Sequence, residues 1–148
     1  MQHQQKMKFL EVTEAIHQQR FFEKFSIYPI AEYAIMKEIH RKQSIHENIT
    51  ISEIANQIKI SVPAISRTIK TLSEKGWIEK LQLDCDKRAY HIQLTHIGLQ
   101  HYQQQSQIFC DKFSQVLSLM DEQALSSLVF ALSQMKNAMD EVIRDHEL

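Results

Sequence analysis

Glycine and proline are scarce in this sequence, two of each among 148 residues. That scarcity argues against folds built on tight turns and loops that cradle phosphates, and for a mostly helical chain. No glycine-rich phosphate loop, zinc-protease helix, nucleophile elbow or glycine-flanked serine occurs, so the chain reads as a non-enzyme with no cofactor. Cysteine is limited to Cys85 and Cys110, too few for a disulfide scaffold and in keeping with a reducing compartment. No apolar run approaches the ~20 residues of a membrane span, and the N-terminus lacks the apolar stretch of a signal peptide. The expectation is a cytoplasmic protein with no membrane partner, in which Asn48-Ile49-Thr50 matches a glycosylation acceptor by letter only.

What is present concentrates between Thr50 and Gly98. Thr50 and Glu53 stand in capping-box spacing, so Thr50 can start a helix while Glu53 reaches back to its amide. Ile54, Ala55 and Ile58 then form one apolar stripe. After a turn at Lys59 and Ile60, Ser61 is placed to cap a second helix, with Pro63 tolerated in its first turn. Ile65, Ile69 and Leu72 recur at helical spacing and should face the first helix, which leaves Ala64, Ser66, Arg67, Lys70 and Thr71 on other faces. Gly76 falls where a left-handed C-terminal cap is wanted.

Beyond Gly76 the period changes from 3.6 to 2. Trp77, Glu79, Leu81 and Leu83 alternate with Ile78, Lys80 and Gln82. Tyr90, Ile92 and Leu94 alternate with His91 and Gln93, and Asp84 to Arg88 lie between as a charged turn. Thr95 can cap a long helix whose first turn contains Gly98; a glycine there costs ~1 kcal/mol against alanine and so implies close packing. Two short helices followed by a basic hairpin are the parts of a winged helix-turn-helix. Its second helix fits a DNA major groove ~12 Å wide, and its ribbon reaches backbone or minor groove.

The run Asp86-Lys87-Arg88-Ala89, followed by Ile92-Gln93-Leu94-Thr95-His96-Ile97-Gly98, resembles the wing signature of the MarR family of bacterial transcriptional regulators. Ile54-Ala55 and the stretch from Ser61 to Leu72 are similar, in order and spacing, to that family's DNA-reading helices. The resemblance covers nearly the whole chain and implies one MarR-like domain over 1–148. Within it, about 28–98 would form the winged helix-turn-helix, and 6–25 and 99–146 the dimerisation helices. The fold expected is mainly α with a small antiparallel β-hairpin wing. The function implied is a homodimer that binds a palindromic operator in double-stranded DNA, usually as a repressor, and lets go when it meets an effector.

A formal net charge of −1 looks wrong for a DNA binder until charge is counted by segment. From Lys59 to Arg88 there are seven basic residues against four acidic ones, and from Asp121 to Leu148 six acidic against two basic. Affinity for phosphate follows local positive charge, so the imbalance favours DNA at the hairpin and protein contacts at the tail. The flanks are apolar beyond the needs of one small domain. Phe9, Leu10, Val12, Ile16, Phe21, Phe22 and Phe25 mark the first, and Tyr102, Ile108, Phe109, Phe113, Val116 and Leu117 continue a long helix after the wing. A last helix is expected near Ser118, paired with Asp121 as a cap, with a stripe through Leu125, Leu128, Val129, Leu132, Met135, Met139, Val142 and Ile143. These stripes either close one monomeric core or meet a second copy, and their extent favours the copy.

Within the reading segment, an Arg67 fork suits guanine O6 and N7 or a phosphate. Ser61, Ala64, Ser66, Lys70 and Thr71 join it on the DNA side, the polar ones chiefly as phosphate or mixed contacts. The resemblance assigns Arg88, with Asp86 orienting it and Lys87 beside it, to the minor groove; otherwise Asp86 and Arg88 form an exposed ion pair worth ~0–1 kcal/mol.

For the effector, the resemblance places small aromatic or phenolic compounds between the dimerisation helices and the reading domain. The matching residues are His17, Arg20, Phe21, Tyr28, Tyr33 and Met36. Metal or redox sensing on the same fold is the alternative. The histidines (His3, His17, His40, His46, His91, His96, His101, His146) show no tight ligand spacing, His40 and His46 flanking an expected loop, and no metal site is assigned. Cys110 reads as a core cysteine and Cys85 as exposed at the wing tip. A winged domain that binds protein instead of DNA is a further alternative, against which the Arg67, Lys70, Lys80, Lys87 and Arg88 set argues.

Overall fold

The computed structural model describes residues 2–82 and 90–146. Asp84, Cys85, Asp86, Lys87, Arg88 and the rest of the hairpin tip lie outside the described residues. The chain forms two compact units, Met1–Phe109 and Cys110–Leu148. In order the elements are α1 (Gln2–Gln18), α2 (Phe21–Lys24), α3 (Ile30–Ser44), α4 (Ile51–Ile58), α5 (Val62–Glu74), β1 (Ile78–Gln82), β2 (Tyr90–Leu94), α6 (His96–Ser118) and α7 (Glu122–His146).

In the first unit α3 is the central post. Pro29 precedes it in extended backbone, and Arg41 and Lys42 fall in its last turn, where cations suit the helix dipole. Its buried positions, Glu32, Ile35, Met36 and Ile39, share one face, and α4, α5 and β2 pack against the helix. The core continues through Ile49, Ile54, Ala55, Ile65, Ile69, Leu72, Ile78, Ile92 and Leu94.

The joints of the reading segment follow from local chemistry. Glu53 N–H donates to Thr50 Oγ1 at 3.3 Å and Thr50 N–H to Glu53 Oε2 at 2.7 Å, completing the capping box. Lys59 ends α4 at φ 59°, in the left-handed region. Ser61 sits at the N-cap of α5 but makes no side-chain cap bond; the expected cap is a matter of position only, leaving its hydroxyl free of the helix. Gly76 (φ +70°) ends α5. Its N–H donates to Ser73 O at 2.9 Å and Trp77 N–H to Leu72 O at 3.0 Å, the paired bonds of a Schellman motif.

The hairpin pairs antiparallel with Ile78 opposite Leu94, Lys80 opposite Ile92 and Gln82 opposite Tyr90. A third segment touches it at Ile49, which bridges Ile92. Ile78, Ile92 and Leu94 point into the core, and Glu79 to Gln82 are exposed. Thr95 caps α6 through Gly98 N–H at 3.0 Å and donates its hydroxyl to Gly76 O at 2.7 Å. A Cβ on Gly98 would lie 1.8 Å from the Trp77 carbonyl oxygen, which is the packing reason for a glycine inside a helix.

Buried Gln105 on α6 ties down the segment between α2 and α3. Its amide accepts from Ile27 N–H at 2.7 Å and donates to Phe25 O at 3.1 Å. Aromatic rings extend the contact, Phe22 on Phe109 at 5.2 Å and Tyr33 on Phe109 at 5.0 Å.

Two expectations about the ends of the chain need correction. Ser118 closes α6, with its hydroxyl bonded to Gln115 O, and Asp121 alone caps α7 by accepting from Ala124 N–H at 2.7 Å. The carboxylate is the stronger acceptor for a helix N-terminus. Cys110 is exposed, not buried in a core; it lies on a side of α6 that nothing in its unit covers. Among the described residues no single helix is long and apolar enough to cross a membrane.

Candidate nucleic-acid interface

The outward side of α5 is set by its inward one. Ile65, Ile69 and Leu72 are at most 1% exposed, and rotation of ~100° per residue puts Pro63, Arg67, Lys70 and Glu74 on the opposite row. Arg67 is exposed and, among the described residues, its side chain has no ion-pair or hydrogen-bond partner. Lys70 lies 3.9 Å from Glu74 with both side chains well exposed, a pairing worth ~0–1 kcal/mol that does not hold the lysine back. Thr71 is exposed and bonds back to Arg67 O. Ala64 and Ser66 are half-buried on the flanks, and Ser61 is exposed at the N-terminus. The residues expected on the reading side thus lie on one helix or at its N-cap, with Arg67 and Lys70 on the exposed row. The wing residues Asp86, Lys87 and Arg88 lie outside the described residues; below them, Lys80 sits 5.9 Å from the Tyr90 ring centroid.

Lys75 does not belong to this cationic face. Its Nζ lies 2.8 and 2.7 Å from the two oxygens of Glu32, and 4.7 Å over the Trp77 ring. Glu32 is 5% exposed, and a buried carboxylate is tolerable only when paired. The ammonium therefore neutralises an internal charge and links α3, the end of α5 and the root of the wing. His101 stacks on Trp77 at 4.1 Å between ring centroids, and Tyr28 meets the same indole edge-on at 5.2 Å. The Tyr28 hydroxyl donates to His101 O at 2.9 Å, and burial, with smaller contributions from Tyr33 and Glu32, pushes its phenol well above the ordinary value. Burial also raises Tyr102. Glu53 moves the other way, held below the usual carboxylate range by its bonds from Thr50.

Sequence reasoning missed this support. One signal was available: Glu32 stands at i to Ile35, Met36 and Ile39 at i+3, i+4 and i+7, an acid on an apolar stripe, which requires a buried partner.

The six residues expected around an effector are scattered over several environments. Arg20 and Tyr28 share an open hollow of about 400 Å³ with Glu23, Ser26, Pro29 and Ile30, and Arg20 pairs with Glu23. Phe21 packs on Phe22 and Phe25. Tyr33 stacks on Tyr102 at 5.6 Å, Met36 is fully buried in the core, and His17 is exposed at the end of α1. The hollow brings together one cation and one phenol, not the set of six. His40 lies within α3 against Tyr102, 4.7 Å between centroids, and not at the edge of a loop. Among the described residues no three His, Cys, Asp or Glu side chains converge as metal ligands would.

Residues 29–90 match the sequence profile of the MarR family. No curated protein sequence matches the chain. Among solved structures it is similar to a mutant of MepR from S. aureus, at 19% identity and TM-score 0.72 over 90% of this chain and 97% of that one. FabT from Streptococcus pneumoniae in complex with DNA aligns at 14% identity and TM-score 0.73, covering 93% and 99%. A mutant of MarR from E. coli complexed with operator DNA aligns at 19% identity and TM-score 0.66, covering 88% and 95%. At such identities the likeness is one of fold, a winged helix with helical extensions.

Proposed function

Starting from a chain that belongs to the MarR family through its winged helix, residues 29–90, we propose that it is a DNA-binding transcriptional regulator acting as a homodimer on a palindromic operator. Members of that family are transcription regulators and not enzymes. The observation that carries the reading is the exposed Arg67, without an ion-pair partner among the described residues, beside Lys70 on the row of α5 that faces away from the core. FabT and MarR have been solved bound to DNA, which supports a reading in which α5 enters the major groove and the wing, with Asp86, Lys87 and Arg88, approaches the minor groove beside it.

A second copy would cover the apolar surfaces that α1 and α7 leave open. Phe9, Leu10, Val12 and Ile16 on α1 are 44–66% exposed, and α7 buries no residue. A two-fold dimer presents its reading helices ~34–36 Å apart, and so reads a palindrome. Repression, with release by a small aromatic or phenolic compound, is the regulatory mode proposed, and the hollow beside Arg20 and Tyr28 is where such a compound would bind.

Selection of bound sequences from random DNA tests the reading directly. A two-fold symmetric consensus is expected, bound more weakly as salt rises, and Arg67→Ala should abolish enrichment of the guanine it contacts. Failure to retain any duplex in low salt would overturn the proposal.

A further inference from the structure

Immediately before the cationic crest of α5 lies a short apolar surface that the fold does not use. Val62, the first residue of the helix, is 44% exposed and Ile60 39%, Pro63 is exposed, and none of the three packs against the core. The core-facing work of α5 is done by Ile65, Ile69 and Leu72. At this place a lysine or serine would serve solubility and phosphate binding better, and Ser61 beside it already offers a hydroxyl without a cap bond. A β-branched residue and a proline offer a base edge neither donor nor acceptor.

The one feature of a major-groove edge that suits such a surface is the C5-methyl of thymine; every other edge presents a polar group that valine and proline would desolvate without return. N-terminal residues of a reading helix are those that meet base edges. Pro63 and Arg67 stand on the same row four residues apart, ~6 Å along the axis, which is close to two base steps of ~3.4 Å. We propose that Val62 and Pro63 form a thymine-methyl contact, so that α5 selects a thymine about two base pairs from the guanine read by Arg67. The proposal rests on the DNA-binding reading above and adds a base identity to it.

The test is a scan of the selected operator in which each thymine is replaced in turn by deoxyuridine, removing one methyl and leaving base pairing intact. Loss of one buried methyl contact corresponds to about a fourfold weaker binding per half-site. One symmetric position should show that loss with the wild-type chain, and the loss should fall below about twofold with Val62→Asn or with the double variant Val62→Ser, Pro63→Ser, each of which sets a polar group where the methyl would pack. Because Val62 is half exposed, unchanged melting of both variants checks that folding is intact. A scan in which no uridine weakens binding, or in which wild type and both variants lose equally, overturns the thymine contact while operator binding stands. A chain that binds no duplex overturns the reading beneath it instead.

Discussion

Helices α5 and α7 are both amphipathic, and the chain treats them differently. The shorter, Val62–Glu74, has its apolar row sealed against α3 and α4, with Ile65, Ile69 and Leu72 at most 1% exposed. The longer, Glu122–His146, buries no residue, and Val129, Val142 and Ile143 stand 57%, 58% and 54% exposed. Periodicity alone cannot separate the two cases. An apolar face has the same spacing whether its cover comes from the same chain or from another, and only the count of neighbouring elements distinguishes them. Extended exposed apolar patches of this kind are uncommon in monomers, which is what supports a partner on α7 in the proposed dimer.

The contrast is most severely tested in the sealed region. Ile69→Ala removes a fully buried side chain and should destabilise the first unit by about 2–5 kcal/mol, read as a shift of the urea midpoint. A loss under ~1 kcal/mol would mean the reading segment is as loosely covered as α7 and would erase the difference. The converse substitution is Leu128→Glu with Leu132→Glu. It should leave the first unit's unfolding unchanged and raise the dimer dissociation constant at least about 100-fold, or ~3 kcal/mol, by sedimentation equilibrium. An unchanged dimer would remove α7 from the interface.

The smallest effect sharpens the comparison at a helix end. Thr50→Ala should cost ~1 kcal/mol by deleting the cap of α4. Bonds from Thr50 depress the pKa of folded Glu53, so the carboxylate's own contribution is present in full above the ordinary glutamate value. It is lost as pH falls through the lower, folded value. The difference between wild type and Glu53→Gln should therefore shrink on acidification below the glutamate range, in denaturation curves taken at a series of pH values. A constant difference would show that the carboxylate charge is not what holds the cap.

Legibility followed the range of the interactions. The Thr50 and Glu53 box, the left-handed Gly76, the close approach at Gly98 and the stripe of Ile65, Ile69 and Leu72 were all readable, because each is decided within a few residues by backbone geometry or helical spacing. Ser61 and Ser118 were misjudged as side-chain caps, because position does not settle which way a hydroxyl turns; Ser118 bonds backward to Gln115. Cys110 reads as a core cysteine from the sequence but is exposed, because its position in a helix does not say which side of that helix is covered. The tie from Lys75 to Glu32 spans 43 positions, and nothing in local spacing says which of several lysines a buried acid will find. The same holds for Gln105, 78 residues from the amide it accepts from. Such pairs are chosen by where whole helices come to rest.

By itself the sequence determined that α4 and α5 are helical, where the hairpin begins, and which row of α5 turns away from the core, since these depend on caps and a period of 3.6 or 2. Tertiary structure alone decided which charges remain free for a partner. It packed Lys75 against a buried carboxylate, and among the described residues it left Arg67 without an ion-pair partner. An ion's partner is fixed by distances between elements, which a linear order of residues does not contain.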